Sequence, residues 1–288
     1  MHYLDATTDI AFKKLFGDQK HARLTMNFLN SVLRRTEGSL ITKIIITSGE
    51  NQPLTLEGKR SLLDINCIDQ QGNNYIVEIQ KQNQGDFVPR AQYYVGNALA
   101  QQLEASFQYA ELVPVIFVGV VVNFELFPGM PDFLSHHGIV NFKTGKQSHF
   151  HSEYHYLELK KFTKQEDALM TDVEKWAYLL KHARDLDHIP SAVSDAAEFV
   201  EAFQILEHGM WNHKDLAAYR AEQELLYKDE KIETTARKEG LEEGLAKGRE
   251  EEKKEIARQM LANGIDSRTI SIYTGLTCEE IECLRSGR

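Results

Sequence analysis

Cysteine is scarce in this chain of 288 residues: Cys67, Cys278 and Cys283 form no Cys-x-x-Cys pair and leave an odd number. That speaks against a disulfide-stapled fold and fits a reduced, cytoplasmic protein best. A membrane-spanning run is missing as well. The longest apolar stretch, Leu112 to Phe127, holds Pro114, Asn123 and Glu125. It is too short and too polar to cross a bilayer, and its valines suggest a buried strand. The opening MHYLDATTDIAFKKLF lacks an apolar signal-peptide core, being interrupted by Asp5 and Asp9, so no secretory leader is expected. Positive charge is in deficit too. The net charge of −10 argues against broad affinity for nucleic acid. Residues 1–60 reverse that sign, with nine Lys/Arg against six acids, which allows either a local basic face or an ordinary solvated surface.

What is present is a composition of 42% hydrophobic and 26% charged residues, enough for a globular core. Residues 8–35 have helical spacing (Ile10, Phe12, Leu15, Phe16, Leu24, Phe28, Leu29, Val32), with Thr8 or Asp9 as cap and a break near Gly17-Asp18. Strands are predicted at Ile41–Thr47, Arg60–Ile68 and Asn74–Gln80, the last two joined by the turn formers Asp69 to Asn73. A helix follows over Pro89–Tyr109, its stripe running through Ala91, Tyr94, Val95, Ala98, Leu99 and Leu103. Strands are predicted near 113–124 and at His149–Leu159, and helix over 165–227. The rest divides into a charged helical linker, 228–255, and a small helical module, 256–288, split at Asn263-Gly264 and Gly275 with Ser267 and Thr277 as caps. Residues 1–227 are expected to form the main domain.

The chemistry concentrates in SLLDINCIDQQGNNYIVEIQKQ, residues 61–82. A turn centred near Gln71 sets Asp64 opposite Glu78 or one residue diagonal to it, where directly opposed Cβ atoms lie about 4.5–5.5 Å apart. Leu62, Leu63, Ile65, Ile76, Val77 and Ile79 surround the two acids, so burial and mutual repulsion are expected. A divalent cation relieves that repulsion and takes hard oxygen ligands. On this reading Asp64, Glu78 and the backbone carbonyl of Ile79 ligate Mg²⁺. Gln80, on the same strand face as Glu78, orients the attacking water. The alternative is a polar hairpin with exposed carboxylates.

Several blocks extend the pattern. They are Asp9-Ile10-Ala11-Phe12-Lys13-Lys14-Leu15-Phe16; Asp64 followed by Val77-Glu78-Ile79-Gln80; Arg90-Ala91-Gln92-Tyr93-Tyr94; Glu158-Leu159-Lys160-Lys161-Phe162 with Trp176 and Leu180; and the terminal module with its preceding Gly-spaced charged segment. Together they resemble the PD-(D/E)XK nucleases grouped as transposases or recombination-promoting nucleases, the Rpn group, over nearly the whole chain. The resemblance implies an α/β restriction-endonuclease-like fold: a mixed central sheet flanked by helices, with a helical C-terminal extension. It implies Mg²⁺-dependent DNA cleavage, Mn²⁺ being the alternative ion, tied to RecA-independent recombination or transposition. Asp64 and Glu78 match the metal-binding acids, Gln80 the third motif position, and Asp9 an acid on the first helix that completes the site. Leu63 stands where a proline often precedes the aspartate, and Gln80 replaces the usual lysine. Lys13 is the better substitute for that lysine, because strand alternation turns Lys81 away.

Other features stay open. Arg90 and Tyr94, at i,i+4, either grip a DNA phosphate or form a stacked surface pair. His149, His151 and His155 match no zinc spacing and read as a solvated strand face. Gly240, Gly244 and Gly248 allow a homodimer through the C-terminal helix or a frayed linker. The terminal module is either a helix-turn-helix on DNA or a protein contact, since Glu279, Glu280 and Glu282 crowd its last helix. The rival functions are a non-catalytic DNA-binding or assembly protein on the same fold, and a scaffold acting through 228–288.

Overall fold

The computed structural model describes residues 2–47, 50–51, 61–62, 64–102 and 108–286. The strands in chain order are β1 (Ile44–Thr47), β2 (Glu50–Asn51), β3 (Ser61–Leu62), β4 (Ile65–Asp69), β5 (Asn74–Gln80), β6 (Val115–Val121), β7 (Leu134–Val140) and β8 (Gln147–Glu158). β2 and β3 form a separate antiparallel pair. The other six make one sheet in the order β1-β4-β5-β6-β8-β7. It is mixed: β5, β6 and β8 run parallel, while β1, β4 and β7 pair antiparallel to their neighbours. The helices are α1 (Asp9–Phe16), α2 (Ala22–Val32), α3 (Phe87–Gln101), α4 (Asp172–His182), α5 (Ala197–Leu206), α6 (His213–Ala262), α7 (Ser267–Thr274) and α8 (Cys278–Arg285).

Strand alternation sorts the core into two layers. Tyr75, Val77 and Ile79 of β5 and Ile116, Val118 and Val120 of β6 join Phe12, Phe16, Phe28, Trp176 and Phe199 from α1, α2, α4 and α5. Ile76, Val115, Phe117 and Val121 pack instead with Phe87, Ala91, Tyr94 and Val95 of α3. β6 is therefore buried at every position, as a central strand covered on both faces must be. Gly119 marks the closest approach. A Cβ there would lie 2.9 Å from the rings of Phe87 and Tyr156 and 3.0 Å from Phe117.

Thr8 caps α1, accepting from the Ala11 amide, and the expected break after α1 is present. β5 has the expected limits. Elsewhere tertiary hydrogen bonds moved the boundaries. β1 starts at Ile44, not Ile41, because the Asn30 side chain takes both the N–H and the C=O of Ile41. The strand expected over Arg60–Ile68 is not continuous: β3 pairs with β2, and the chain bends at Asp64 before β4. Arg60, Leu63 and Leu103 lie outside the described residues. α3 begins at Phe87, leaving Pro89 in a first turn whose N–H groups have no helical partner. The stretch 165–227 breaks into α4, α5 and the start of α6. β7 was not anticipated. It is a partly exposed strand at the sheet edge with weak alternation.

The chain divides into two compact units, residues 1–222 and 223–288. In the second, Ala257, Ile270, Leu276 and Ile281 form a small core with Met260, Leu261, Ile265 and Leu284 around it. Asp266, rather than Ser267, caps α7, and Gly275 ends it with a φ of 72°, a left-handed conformation suited to glycine. Thr277 caps α8 in a reciprocal bond pair with Glu280. α6 runs unbroken through the charged stretch, and its glycines at 240, 244 and 248 have open space beside them. Among the described residues no helix is long and apolar enough to cross a membrane.

The packing at Gly119 is testable. G119A should cost about 1–3 kcal/mol through overpacking against α3, seen as a lower urea midpoint. An unchanged midpoint would show that the three rings yield without cost.

Candidate active site

The pairing of Ile65 with Val77, carried one residue further, sets Asp64 across from Glu78. The ladder does not continue there. The Asp64 N–H donates to Glu78 Oε1 at 3.1 Å, and the Ile79 N–H donates to Asp64 Oδ2 at 2.9 Å. Each acid thus accepts a backbone bond from the opposite segment, and both carboxylates are held at the end of the β4–β5 pair. Glu78 is 6% exposed and the Asp64 side chain 13%. The polar hairpin with exposed carboxylates is not what forms.

Burial and proximity act on both groups. Burial raises the Glu78 pKa, and the Asp64 charge raises it further, against the Asp64 amide, Arg90 and Lys13, so that it reaches about 8. Asp64 is also raised, by burial first and by the charge of Asp9, while the Ile79 N–H and Lys13 oppose the shift. Burial and mutual repulsion together favour a proton on Glu78. A cation would replace that proton. In an extended residue the N–H and C=O point to the same side, so the Ile79 carbonyl faces Asp64 as its N–H does. Two carboxylates and a carbonyl are hard oxygen donors suited to Mg²⁺ or Mn²⁺. Among the described residues no three His, Cys, Asp or Glu side chains converge as a ready metal centre. Asp9 is near enough for its charge to raise the proton affinity of Asp64.

The other predicted residues take distinct places. Lys13 Nζ lies 3.4 Å from Asp64 Oδ1, one helical turn beyond Asp9 on α1. Lys81 turns to the opposite side and pairs with Asp5 at 2.9 Å. Gln80 is held at both ends: its Nε2 donates to the Gln82 carbonyl at 2.8 Å, and its Oε1 accepts from Arg90 Nη2. Arg90 also pairs with Asp86 and lies 5.3 Å from the centre of the Phe87 ring. Tyr94 is buried, and its hydroxyl is raised by burial and then by the nearby Glu78 charge. His155 departs from the expected solvated face. The half of β8 that pairs with β6 carries it into the sheet, where its Nδ1 meets that of His136 at 2.7 Å, while His149 and His151 stay exposed.

Two features had no role assigned from the sequence, although Glu158 opens one of the blocks named above. Glu158 is fully buried and paired with Lys161 at 2.7 Å, and it accepts from the amides of Leu126 and Phe127, tying down the loop after β6. Glu222, from α6, accepts from the amides of Asp9 at 2.6 Å and Ile10 at 3.4 Å.

The model of the PD-(D/E)XK nuclease family transposases matches residues 6–236. This chain belongs to that family. The match spans α1, the Asp64–Glu78 pair and the whole six-stranded sheet, so the mixed sheet flanked by helices is the PD-(D/E)XK domain. The model of the C-terminal helix-turn-helix domain of the Rpn/YhgA-like nuclease family matches residues 250–286, which covers the small core of the second unit. No curated protein and no solved structure matches the chain. Membership in the PD-(D/E)XK family supports a nuclease- or transposase-like function, and the helix-turn-helix supports DNA binding. PD-(D/E)XK nucleases generally use divalent metals, and the donor set beside Ile79 fits one.

The acid pair sets a pH dependence. Glu78 has its pKa raised on folding, so it stabilises the native state below its ordinary value of 4.5 and loses that contribution as pH rises toward about 8. The melting temperature in EDTA should fall across that window. Mg²⁺ should offset the fall increasingly with pH, because a ligand of the native state stabilises it. E78Q should flatten both trends. A melting temperature independent of pH and of Mg²⁺ would contradict the buried pair.

Proposed function

We propose that this chain is a divalent-metal-dependent DNA endonuclease that hydrolyses phosphodiester bonds in recombination or transposition. The observation that carries the reading is the reciprocal clamp of Asp64 and Glu78. Its two carboxylates have lost most of their hydration, and nearby Lys13 offsets only part of their charge. Asp64, Glu78 and the Ile79 carbonyl would hold Mg²⁺, or Mn²⁺ in its place. When bound, such an ion eases deprotonation of water and offsets charge on a scissile phosphate.

The chain's own groups divide the remaining work. Lys13 supplies the positive charge that Gln80 cannot, 3.4 Å from Asp64. Gln80 is committed to Arg90 and Gln82, so it serves mainly to fix Arg90, with one N–H left to orient water. Arg90 and Tyr94 stand on the Glu78 side of the sheet and are the groups that would meet a phosphate. Asp9 adds negative charge that favours a cation near Asp64. The helix-turn-helix supplies further DNA contact, a useful addition for a chain of net charge −10.

A non-catalytic DNA-binding protein is the second reading, favoured by the absence of lysine at the Gln80 position. Plasmid nicking separates the two. Wild type should nick supercoiled DNA with Mg²⁺ and not with EDTA, D64A should fall to background, and K13A should lose about 100-fold or more, as expected when a group that offsets developing negative charge is removed. Equal nicking by wild type and D64A would defeat the enzyme reading.

A further inference from the structure

α1 carries two charged side chains that act on Asp64, namely Asp9 and Lys13. It is only eight residues long, so its position depends on tertiary contacts rather than on its own stability. Its inner face is set by Ala11, Phe12, Leu15 and Phe16 in the core. Its outer side is gripped by one stripe of α6. Asp215 pairs with Lys14 at 2.6 Å, the Tyr219 hydroxyl accepts from the Asp5 amide at 2.9 Å, and Glu222 takes the amides of Asp9 and Ile10. Positions 215, 219 and 222 recur at i, i+4 and i+7, on one helix face.

Glu222 has no equivalent within α1. Thr8 already caps the helix, its side chain accepting from Ala11 and its carbonyl from Phe12. Of the four N–H groups that a helix leaves open, only those of Asp9 and Ile10 remain. Asp9 is exposed, so water could satisfy them. A carboxylate delivered from 213 residues away adds direction instead. It locks the end of α1 from which Asp9 projects, and it keeps the Asp9 carboxylate from folding back onto its own helix terminus, where an acid is favoured.

We propose that Glu222 is a positioning residue of the metal site: held on the amides of Asp9 and Ile10, it sets how α1 presents Asp9 and Lys13 to Asp64. The proposal rests on the metal-binding reading above and assigns Glu222 no contact with metal or DNA. Its action is geometric, so reach should matter and charge should not.

The test is Mn²⁺ affinity of the full chain without DNA, measured by electron paramagnetic resonance, with melting temperatures as a check on folding. E222D keeps the charge but is one methylene too short. It should bind Mn²⁺ roughly tenfold more weakly, the usual scale for losing a supporting partner of a metal site. E222Q keeps one oxygen at the same reach for the Asp9 amide and gives up only the longer bond to Ile10, so it should bind Mn²⁺ more tightly than E222D. In a D9N background E222D should add less than it does alone, because part of its effect passes through Asp9. The opposite order, with E222Q weak and E222D normal, would overturn the proposal in favour of simple charge attraction. Full additivity of E222D and D9N would overturn it too. Wild-type protein without Mn²⁺ affinity would overturn the metal-binding reading itself and this proposal with it, whereas wild-type affinity retained in both Glu222 variants would overturn the proposal alone.

Discussion

Two backbone hydrogen bonds hold the site together. The Asp64 amide donates to Glu78 and the Ile79 amide donates to Asp64, where the β4–β5 ladder would otherwise go on. A regular ladder would leave both side chains standing above the sheet with their hydration intact. The exchange pulls each carboxylate into the end of the strand pair. It costs the pair solvation and creates repulsion, and both effects raise the proton affinity of Glu78. A cation between the carboxylates would relieve the same cost.

The rest of the fold supplies what that clamp lacks. β5 sits between antiparallel β4 and parallel β6, so its far end is rigid while β4 is free to leave the ladder. α1, on the Ile79 layer, brings the ammonium of Lys13 to Asp64. α3, on the opposite layer, brings Arg90 and Tyr94 to the side of Gln80 and Glu78. Opposite layers of the sheet thus contribute opposite flanks of one site. The close approach of α3 over Gly119 is what allows the second flank to come near.

Much of this was legible from residue order. The alternation in NYIVEIQ located β5 and put Glu78 with Gln80 and away from Lys81, because strand periodicity is a local property. The turn formers at 69–73 narrowed the hairpin register to Asp64 opposite Glu78 or one residue diagonal, and the observed pairing of Ile65 with Val77 selects the first. Strand alternation together with the resemblance at Asp9 favoured Lys13 over Lys81, and in the structure Lys13 pairs with Asp64 and Lys81 with Asp5. Features depending on distant partners were not legible. Ile41 was lost from β1 to the side chain of Asn30. His155 became buried because half of β8 joins β6. The commitment of Gln80 to Arg90 required α3 to be in place.

By itself the sequence singled out Asp64, Glu78 and Gln80 as candidates and put Glu78 and Gln80 on one strand face, since both follow from period, turn composition and the order of short motifs. The tertiary structure alone decided how they are charged and held. Proton affinity depends on burial and on neighbours from other elements, and Glu222 reaches α1 only because α6 packs against it. No pattern within one segment encodes a bond between residues 9 and 222.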